Sequence, residues 1–433
     1  MSNRKLLVIN IAALGYDLLK NFDKLKFSEF NFQSATTQFP AVTCTAQATF
    51  RTATKPANHG MIANGLYFKP LSKIMFWEQS SNLIAGARIW DNFKKQGGKV
   101  GLICWQQSMG ENADLILTPA PIHKHHGGMI MDCYCKPANL YRDLVSKLGK
   151  FKLHQYWGPL ASAKVGRWIA NATAEILNSQ EFCPDLLLTY LPSLDYDLQR
   201  YGPDSKQAKN ALSETLSQLE TILQAAKKQN FEVLILGDYA IGNCSGKAIE
   251  PNSILKDAGL FATRKINKMI YPDFYQSQAF AMVDHEIAWI YTRDETATMQ
   301  AKNALVRNPE IEKVYTKKEL AEIGLDSQNA GDLLAVAQDG KWFTYRWWSD
   351  DQCAPDYVSH VDIHNKPGFD PCELFGQLFP PGVTQKTEKI AGSHGLADNS
   401  RLIAWATTIQ STNKPKSLIE LAEFAKKYLD GAE

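Results

Sequence analysis

The sequence predicts an α/β protein in which a mostly parallel sheet is sandwiched by helices, with a small α+β insertion. Short, almost continuous apolar runs recur along the chain, among them KLLVINIAAL, DLLLTYL and EVLILG. Such runs are typical of strands that are buried on both faces of a parallel sheet. Helical stretches such as SETLSQLETILQAAKKQ separate the runs, and this alternation indicates right-handed β-α-β crossovers. A strand–helix–strand–helix pattern over about residues 275–325 predicts the insertion.

The same patterns give the predicted domain boundaries. Residues 1–264 and 336–433 form the core, with a lid at about 105–160, and residues 265–335 form the inserted cap. Within the cap, QAFAMVDHEIAWIYTR is interpreted as a single strand. Within the lid, residues 118–137 are predicted to be irregular. This segment contains three histidines and two cysteines without a recognised metal-ligand spacing, so a surface loop is favoured over a metal site: His123, His125, His126, Cys133 and Cys135.

Charge and hydropathy exclude several classes of partner. The 433 residues include 47 basic and 45 acidic side chains, for a formal net charge of +2. This balance gives no reason to expect nucleic acid or an anionic membrane as partner. No stretch approaches the roughly 18 apolar residues of a membrane span, and the N-terminal apolar run lacks the features of an export signal. The eight cysteines are therefore expected to be free thiols in the cytoplasm, and the oligomeric state stays open.

Polar side chains at the ends of the predicted strands are the first candidates for a site. Ligands of open α/β sheets bind where the strands end at their carboxyl edge. Thr43, in FPAVTCTAQATF, begins a helical stretch after an extended segment, and Asp195 and Asp238 each follow a buried strand. Each also has a structural interpretation, since Thr is a common helix N-cap and carboxylates stabilise helix N-termini.

The order of four segments resembles the alkaline phosphatase superfamily. They are FPAVTCTAQATFRTATKPANHGMIANG, YLPSLDYDLQRYGP, ILGDYAIG and GSHG. The most similar branch contains the nucleotide pyrophosphatases/phosphodiesterases (type I phosphodiesterases) and phosphonoacetate hydrolases, and the resemblance covers about residues 5–400. It implies a site in which two zinc ions flank a Thr or Ser nucleophile. Matched residue by residue, Thr43 takes the place of the nucleophile, and Asp195, Asp238 and His394 take the places of metal ligands.

Several positions depart from that pattern. The Asp after the first strand is replaced by Ala12, and two metal-ligating His positions are occupied by Gln199 and Tyr239. The Asn and His that follow the nucleophile are replaced by Ala46 and Gln47. The remaining ligands are dominated by oxygen, which suits magnesium or manganese better than zinc. The resemblance therefore implies a divalent metal (Zn, Mn or Mg), one ion rather than two, or none.

Other residues could replace the missing ligands. In VDIHNKPGFDP, His364 could restore a metal site with Asp195 and His394, or it could be a buried, hydrogen-bonded histidine. Lys366 and Arg346 could bind phosphate. Gln199 and Tyr239 would then contact the substrate.

Two functions of different classes follow from the resemblance. The first is a divergent metal-dependent hydrolase that cleaves phosphodiester or pyrophosphate bonds of a small phosphorylated molecule through Thr43. The second is a catalytically silent protein that binds a phosphorylated small molecule in the retained cleft. A metal-free transferase or lyase is a third possibility. All three place Thr43, Asp195, Asp238 and His394 in one cleft at the carboxyl edge of the sheet.

Overall fold

The computed structural model describes residues 4–20, 30–378 and 381–431. The strands, in chain order, are β1 (Leu6–Ile11), β2 (Gln33–Ala35), β3 (Gly65–Phe68), β4 (Lys73–Phe76), β5 (Val100–Ile103), β6 (Leu115–Pro119), β7 (Ile122–His123), β8 (Met129–Ile130), β9 (Cys133–Lys136), β10 (Leu186–Leu191), β11 (Glu232–Gly237), β12 (Gly242–Asn243), β13 (Thr263–Ile266), β14 (Met269–Pro272), β15 (Ala279–Asp284), β16 (Ile287–Thr292), β17 (Ile311–Thr316), β18 (Leu333–Ala337), β19 (Gly376–Gln377), β20 (Gly382–Val383), β21 (Gly392–Ser393) and β22 (Ile403–Thr407). The α-helices are α1 (Tyr16–Lys20), α2 (Thr43–Thr52), α3 (Pro56–His59), α4 (Asp91–Lys95), α5 (Leu140–Leu148), α6 (Ala163–Leu177), α7 (Ser193–Tyr201), α8 (Lys206–Lys228), α9 (Pro251–Asp257), α10 (Glu295–Leu305), α11 (Lys317–Ile323) and α12 (Leu418–Asp430).

An eight-stranded sheet in the order β2-β22-β11-β1-β10-β5-β6-β9 forms the centre of the fold. Neighbouring strands from β11 to β6 run parallel. The strands at the two edges, β22 with β2 on one side and β9 on the other, run antiparallel to their neighbours. The predicted mostly parallel α/β sheet is therefore confirmed.

Helices cover both faces of this sheet, as the continuous apolar strands require. Alternate residues of a strand point to opposite faces. On β1, Leu7 and Ile9 join the core cluster that includes α6 and α8, whereas Leu6 and Val8 join the cluster that includes Phe50 of α2 and the apolar residues of α12. Both faces of β1 are consequently without solvent contact.

A second, four-stranded antiparallel sheet in the order β15-β16-β18-β17 occupies most of the predicted insertion. The sequence interpretation of QAFAMVDHEIAWIYTR as one strand is wrong. The chain reverses at His285 and Glu286, so that β15 and β16 form a hairpin in which Asp284 pairs with Ile287. Division of the chain into a core and a cap stays a prediction.

The lid segment is more regular than the sequence suggested. β6 and β9, which bracket residues 120–132, are both strands of the central sheet. Only β7 and β8, between them, form a separate two-stranded hairpin. Residues 118–137 therefore include an edge of the core, because β9 covers the otherwise open side of β6.

Two further findings concern membrane-spanning helices and cysteines. Within the three described ranges, no helix is both long and apolar enough to cross a bilayer. All eight cysteines are free.

Arg51, near the end of α2, provides a test of the packing beneath the sheet. Its side chain is fully buried and donates to the carbonyl oxygens of Gln107, at 2.6 Å, and Gln106. It also lies 3.3 Å from the Glu111 carboxylate. We expect Arg51→Met to lower the free energy of unfolding by on the order of 3 kcal/mol, because it leaves buried acceptors unpaired. Urea-induced unfolding measures this loss.

The matched control is Arg167→Ala, which removes an ion pair to Glu214 whose two side chains are about half exposed. This change is expected to cost less than about 1 kcal/mol. Equal losses for the two variants would contradict the packing described here.

Candidate active site

Three neighbouring strands of the central sheet end level with one another. Ile11, the last residue of β1, pairs with Leu191 of β10 and Gly237 of β11. The residues that follow these strands therefore meet at one edge. Asp238 comes directly after β11, and Asp195 lies in the first turn of α7, which follows β10.

Thr43 is the first residue of α2, and it does not cap the helix. The N-cap position is Val42, and no side-chain capping bond is made there. The Thr43 hydroxyl instead lies 3.5 Å from the hydroxyl of Tyr190, and the side chain is buried. The structural interpretation of Thr43 as an N-cap is therefore wrong, and its hydroxyl is directed toward the carboxyl edge of the sheet.

The Asp195 carboxylate is buried and accepts two hydrogen bonds from neutral side chains. Gln199 Nε2 donates to Oδ2 at 2.6 Å, and the Tyr239 hydroxyl donates to Oδ1 at 3.0 Å. Burial raises the pKa of Asp195 to about 7, although both hydrogen bonds act to lower it. Gln199 and Tyr239, which the sequence analysis predicted to replace two metal-ligating histidines, are thus the residues that hold this carboxylate.

Asp238 is held by the backbone through one oxygen only. Its Oδ1 accepts from the amides of Ala13, at 3.1 Å, and Tyr239, at 3.0 Å. Its Oδ2 is buried and has no partner among the described residues. Burial raises the pKa of Asp238 well above its ordinary value, and the charge of Asp195 raises it further. A buried acceptor without a donor is costly, so this oxygen is a candidate for contact with a ligand.

The His394 imidazole is enclosed between two rings. Tyr239 stacks on one face at 3.6 Å between ring centroids, and His285 lies against the other at 3.7 Å. His394 Nδ1 donates to the carbonyl oxygen of Ala41 at 2.7 Å. Burial lowers the pKa of His394 well below its ordinary value, so the ring is neutral and Nε2 carries the lone pair. Nε2 lies 3.9 Å from Asp195 Oδ1, a close approach of a neutral ring and not an ion pair.

The hairpin between β15 and β16 brings three further polar residues to this cluster. Asp284, His285 and Glu286 are all buried, although they form the tip of a hairpin. The sequence analysis missed them because it interpreted this stretch as one strand. A signal was present, since DHE interrupts two apolar runs in AFAMVDHEIAWIY, but an exposed polar turn has the same pattern.

The residues present do not fit a two-metal centre. Ala12 offers no ligand, and Gln199 and Tyr239 use their polar atoms to hold Asp195. Throughout the described parts of the chain, no three His, Cys, Asp or Glu side chains are arranged to hold a metal ion. Asp238 Oδ2 is left without a partner among the described residues, and the His394 ring is neutral.

The other predicted site residues are engaged elsewhere. His364 Nδ1 donates to the carbonyl oxygen of Phe76 at 2.9 Å. The buried ammonium of Lys366 lies 2.8 Å from Asp370 and 2.7 Å from Glu373.

Arg346 is likewise engaged, since it pairs with Asp351 at 2.5 Å and donates to the carbonyl oxygen of Gln385 at 2.9 Å. In the described ranges no bond joins His364, Lys366 or Arg346 to Thr43 or Asp195. Their predicted roles in metal or phosphate binding therefore find no support in these contacts.

A cavity lies beside Lys366. It has an empty volume of about 220 Å³ and is lined partly by Trp77, Trp157 and Phe369. Phe369 stacks on His285 at 3.6 Å, and His285 in turn contacts His394. Aromatic rings therefore separate this cavity from the buried carboxylates.

Comparison with known proteins gives one family and a set of similar folds. Residues 6–370 match the family model of the type I phosphodiesterases/nucleotide pyrophosphatases. A search among curated protein sequences gave no significant match. Murine ectonucleotide pyrophosphatase/phosphodiesterase 5, solved as an inactive variant in complex with AMP, is similar over 99% of this chain and 95% of its own, with 16% identity and a TM-score of 0.63.

Phosphonoacetate hydrolase from Sinorhizobium meliloti, in complex with phosphonoacetate, is similar over 99% of this chain and 96% of its own. The identity is 12% and the TM-score is 0.65. At these identities the two structures establish the fold, and the predicted alkaline-phosphatase-like architecture is confirmed.

The buried Asp195 predicts a pH dependence of stability. Its pKa is about 7 in the folded chain against an ordinary value of 3.8. Between these values the folded state binds a proton that the unfolded state has released, so the free energy of unfolding falls as pH rises through this window. The slope contributed by Asp195 is on the order of 1.4 kcal/mol per pH unit. Urea unfolding of metal-free protein between about pH 4 and 8 measures it.

Asp195→Asn is expected to flatten this fall, because the amide does not titrate. Asp238 and Glu286 also have raised pKa values and continue to contribute in the variant. The test is therefore the difference between the two curves, and parallel curves for wild type and variant would contradict the prediction.

Proposed function

The chain belongs to the type I phosphodiesterase/nucleotide pyrophosphatase family, and from that premise we propose that it hydrolyses phosphodiester or pyrophosphate bonds of a small phosphorylated molecule. Thr43 is the nucleophile of this proposal. Asp195, Asp238 and His394 would hold one divalent cation in this proposal, and the cation would supply positive charge to the phosphoryl group. The family is one of hydrolases, and its members typically depend on divalent metal ions such as zinc.

One observation carries the proposal: Asp238 Oδ2 is buried without a partner in the part of the chain that the structure describes. A folded chain rarely leaves such an atom unpaired unless a ligand or ion satisfies it. The unpaired oxygen belongs to a carboxyl group at the carboxyl edge that interacts with the charge of Asp195, and the residue after it, Tyr239, stacks on His394. A divalent cation at this position would supply charge stabilisation to a phosphoryl group.

The chemistry follows from the alcohol at residue 43. Thr43 Oγ1 attacks phosphorus, the bond from phosphorus to the leaving oxygen breaks, the hydroxyl proton passes to the departing oxygen, and the phosphoryl group stays on Thr43. Water then cleaves the Oγ–phosphorus bond and restores the hydroxyl. Inactivity of the threonine-to-alanine variant of murine ectonucleotide pyrophosphatase/phosphodiesterase 5 supports a threonine nucleophile in this family.

Two phenols flank the proposed nucleophile. Tyr190 lies 3.5 Å from Thr43 Oγ1, and Tyr239 bonds to Asp195 on the other side of the cluster. Burial raises the pKa of both phenols well above their ordinary value. Both phenols therefore stay protonated at neutral pH. The proton of Tyr190 can be donated to a phosphoryl oxygen, whereas that of Tyr239 is donated to Asp195.

A second candidate function, the silent binding protein, is favoured by the state of Asp195. Its two oxygens accept hydrogen bonds from Gln199 and Tyr239, so each oxygen has a partner without a cation. A chain that has lost its metals would keep this neutral network and bind the phosphorylated molecule without turnover. The similar structures hold AMP and phosphonoacetate, which supports a small phosphorylated ligand under either function.

Replacement of Thr43 tests the enzymatic proposal. Hydrolysis of an aryl phosphodiester and of a dinucleotide pyrophosphate is measured with magnesium, manganese and zinc in turn. We expect Thr43→Ala to lower kcat by at least about 1,000-fold, because the nucleophile is removed, with a Tm close to that of wild type. Asp238→Asn should lower kcat for a different reason, the loss of a cation ligand.

Thr45→Ala is the matched control. Thr45 is buried on the same helix, and its hydroxyl has no partner among the described residues, so its removal should leave kcat unchanged. Activity that survives Thr43→Ala would contradict the proposed nucleophile. No turnover with any metal, together with saturable binding of AMP, would favour the silent binding protein.

Metal content gives an independent prediction. Calorimetric titration of metal-stripped protein is expected to show no more than one divalent cation per chain, with weaker zinc binding than an intact dinuclear site, because Ala12, Gln199 and Tyr239 replace strong ligands. Asp238→Asn should abolish this binding. His364→Gln should leave it unchanged, since His364 is bonded to Phe76. Two tight zinc ions in wild type would refute the single-cation site.

A further inference from the structure

We propose that the tip of the β15–β16 hairpin, residues Asp284, His285 and Glu286, is a positioning element of the candidate active site. It fixes the orientation of His394 and the first turn of α2. The inference rests on the proposed function for its catalytic meaning, but its structural content can be tested without activity. Three sets of contacts carry it.

The first set is a stack of rings. His394 lies between Tyr239, at 3.6 Å and 8° between ring planes, and His285, at 3.7 Å and 36°. Phe369 stacks on the outer face of His285 at 3.6 Å. Rotation of the His394 ring would break contacts on both of its faces. The ring can therefore keep Nε2 directed toward Asp195 Oδ1 while Nδ1 donates to Ala41.

The second set holds the backbone around His394. The Glu286 amide donates to the His394 carbonyl oxygen at 3.0 Å, and the Leu396 amide donates to Glu286 Oε2 at 3.0 Å. Gly395, between them, has a φ of 137°, and a Cβ there would lie 3.1 Å from Glu286 atoms. Only glycine allows so close an approach. The hairpin tip thus forms hydrogen bonds on both sides of Gly395 and holds the segment that carries His394.

The third set runs from the tip to the helix that carries Thr43. Asp284 accepts from the Asn64 amide at 2.6 Å and from Asn64 Nδ2 at 3.1 Å. Asn64 Oδ1 in turn accepts from the amide of Cys44, the residue after Thr43, at 3.0 Å. Asp284 also accepts from His285 Nδ1 at 2.7 Å. The Asp284 carboxylate therefore orients both the His285 ring and Asn64, and Asn64 in turn bonds to the first turn of α2.

The conformation of the tip agrees with a positioning role. His285 has a φ of 61°, in the left-handed region that residues other than glycine seldom adopt. Its Nε2 is buried without a partner among the described residues. A hairpin turn normally lies at the surface with polar residues in water. Here, strained backbone and desolvated polar atoms are retained where the tip meets His394, as is common at functional sites.

The experiment records ¹⁵N spectra of histidine-labelled, metal-free protein at a single neutral pH. A His394→Gln sample assigns the His394 signals. Wild type should show His394 in one fixed tautomer, with the proton on Nδ1. His285→Ala removes the stacked ring and should give averaged nitrogen shifts for His394, because the ring gains freedom to reorient. His285→Phe restores a flat ring without nitrogens and should return the wild-type spectrum of His394.

Trp289→Phe is the matched control for lost core packing. Trp289 is buried in β16 and donates to the carbonyl oxygen of Ile62 at 3.1 Å, so its loss weakens the same hairpin without touching the His394 ring. It should leave the His394 spectrum unchanged. If His285→Ala does not fold, His285→Leu, which is close in volume but not planar, replaces it with the same expected averaging.

Manganese titration of the same proteins connects the tip to the proposed function. His285→Ala should raise the Kd by about 10- to 100-fold, the usual effect of removing a group that orients a metal ligand, and His285→Phe should restore much of the affinity. Wild-type His394 shifts in His285→Ala would overturn the inference. Absence of manganese binding by wild type would count against the proposed cation alone, because the spectra still decide whether the tip positions His394.

Discussion

Desolvation of two carboxylates at the carboxyl edge of the sheet is the constraint that organises the centre of this protein. Asp195 and Asp238 are each removed from water. This desolvation is the largest cause of the raised pKa of each carboxyl group. Asp195 is satisfied by an amide and a phenol, whereas Asp238 is satisfied on one oxygen by backbone amides. The other oxygen of Asp238, Oδ2, has no partner among the described residues. The proposed chemistry depends on this unpaired oxygen.

The second sheet completes a site that the central sheet only begins. The parallel strands bring Asp195 and Asp238 to one edge, but the His394 ring is held from outside that sheet. His285 contacts its free face, and Glu286 bonds to its backbone. The tip of a hairpin of the second sheet is thereby part of the interior, in contact with His394.

Much of the fold could be predicted because it depends on local patterns. Apolar runs identified β1, β10 and β11 as strands buried on both faces, and the order of motifs along the chain indicated the family. The positions of Thr43, Asp195, Asp238 and His394 came from the same resemblance, and their catalytic roles stay predictions. His364, Lys366 and Arg346 were chosen for their chemistry alone. His364 bonds to Phe76, which is distant in the sequence, so spacing could not show that this histidine was already engaged. Lys366 and Arg346 pair with the nearby Asp370 and Asp351, but residue type alone does not show whether such a pair forms.

The sequence by itself determined the parallel α/β core and the family, because these depend on residue type and order along the chain. Only the tertiary structure decided which groups the polar residues of the candidate site contact. It showed Gln199 and Tyr239 donating to Asp195, and DHE turned inward at a hairpin tip instead of continuing a strand. The physical reason is burial: whether a polar residue faces water or a desolvated partner is set by segments distant in the chain that pack against it.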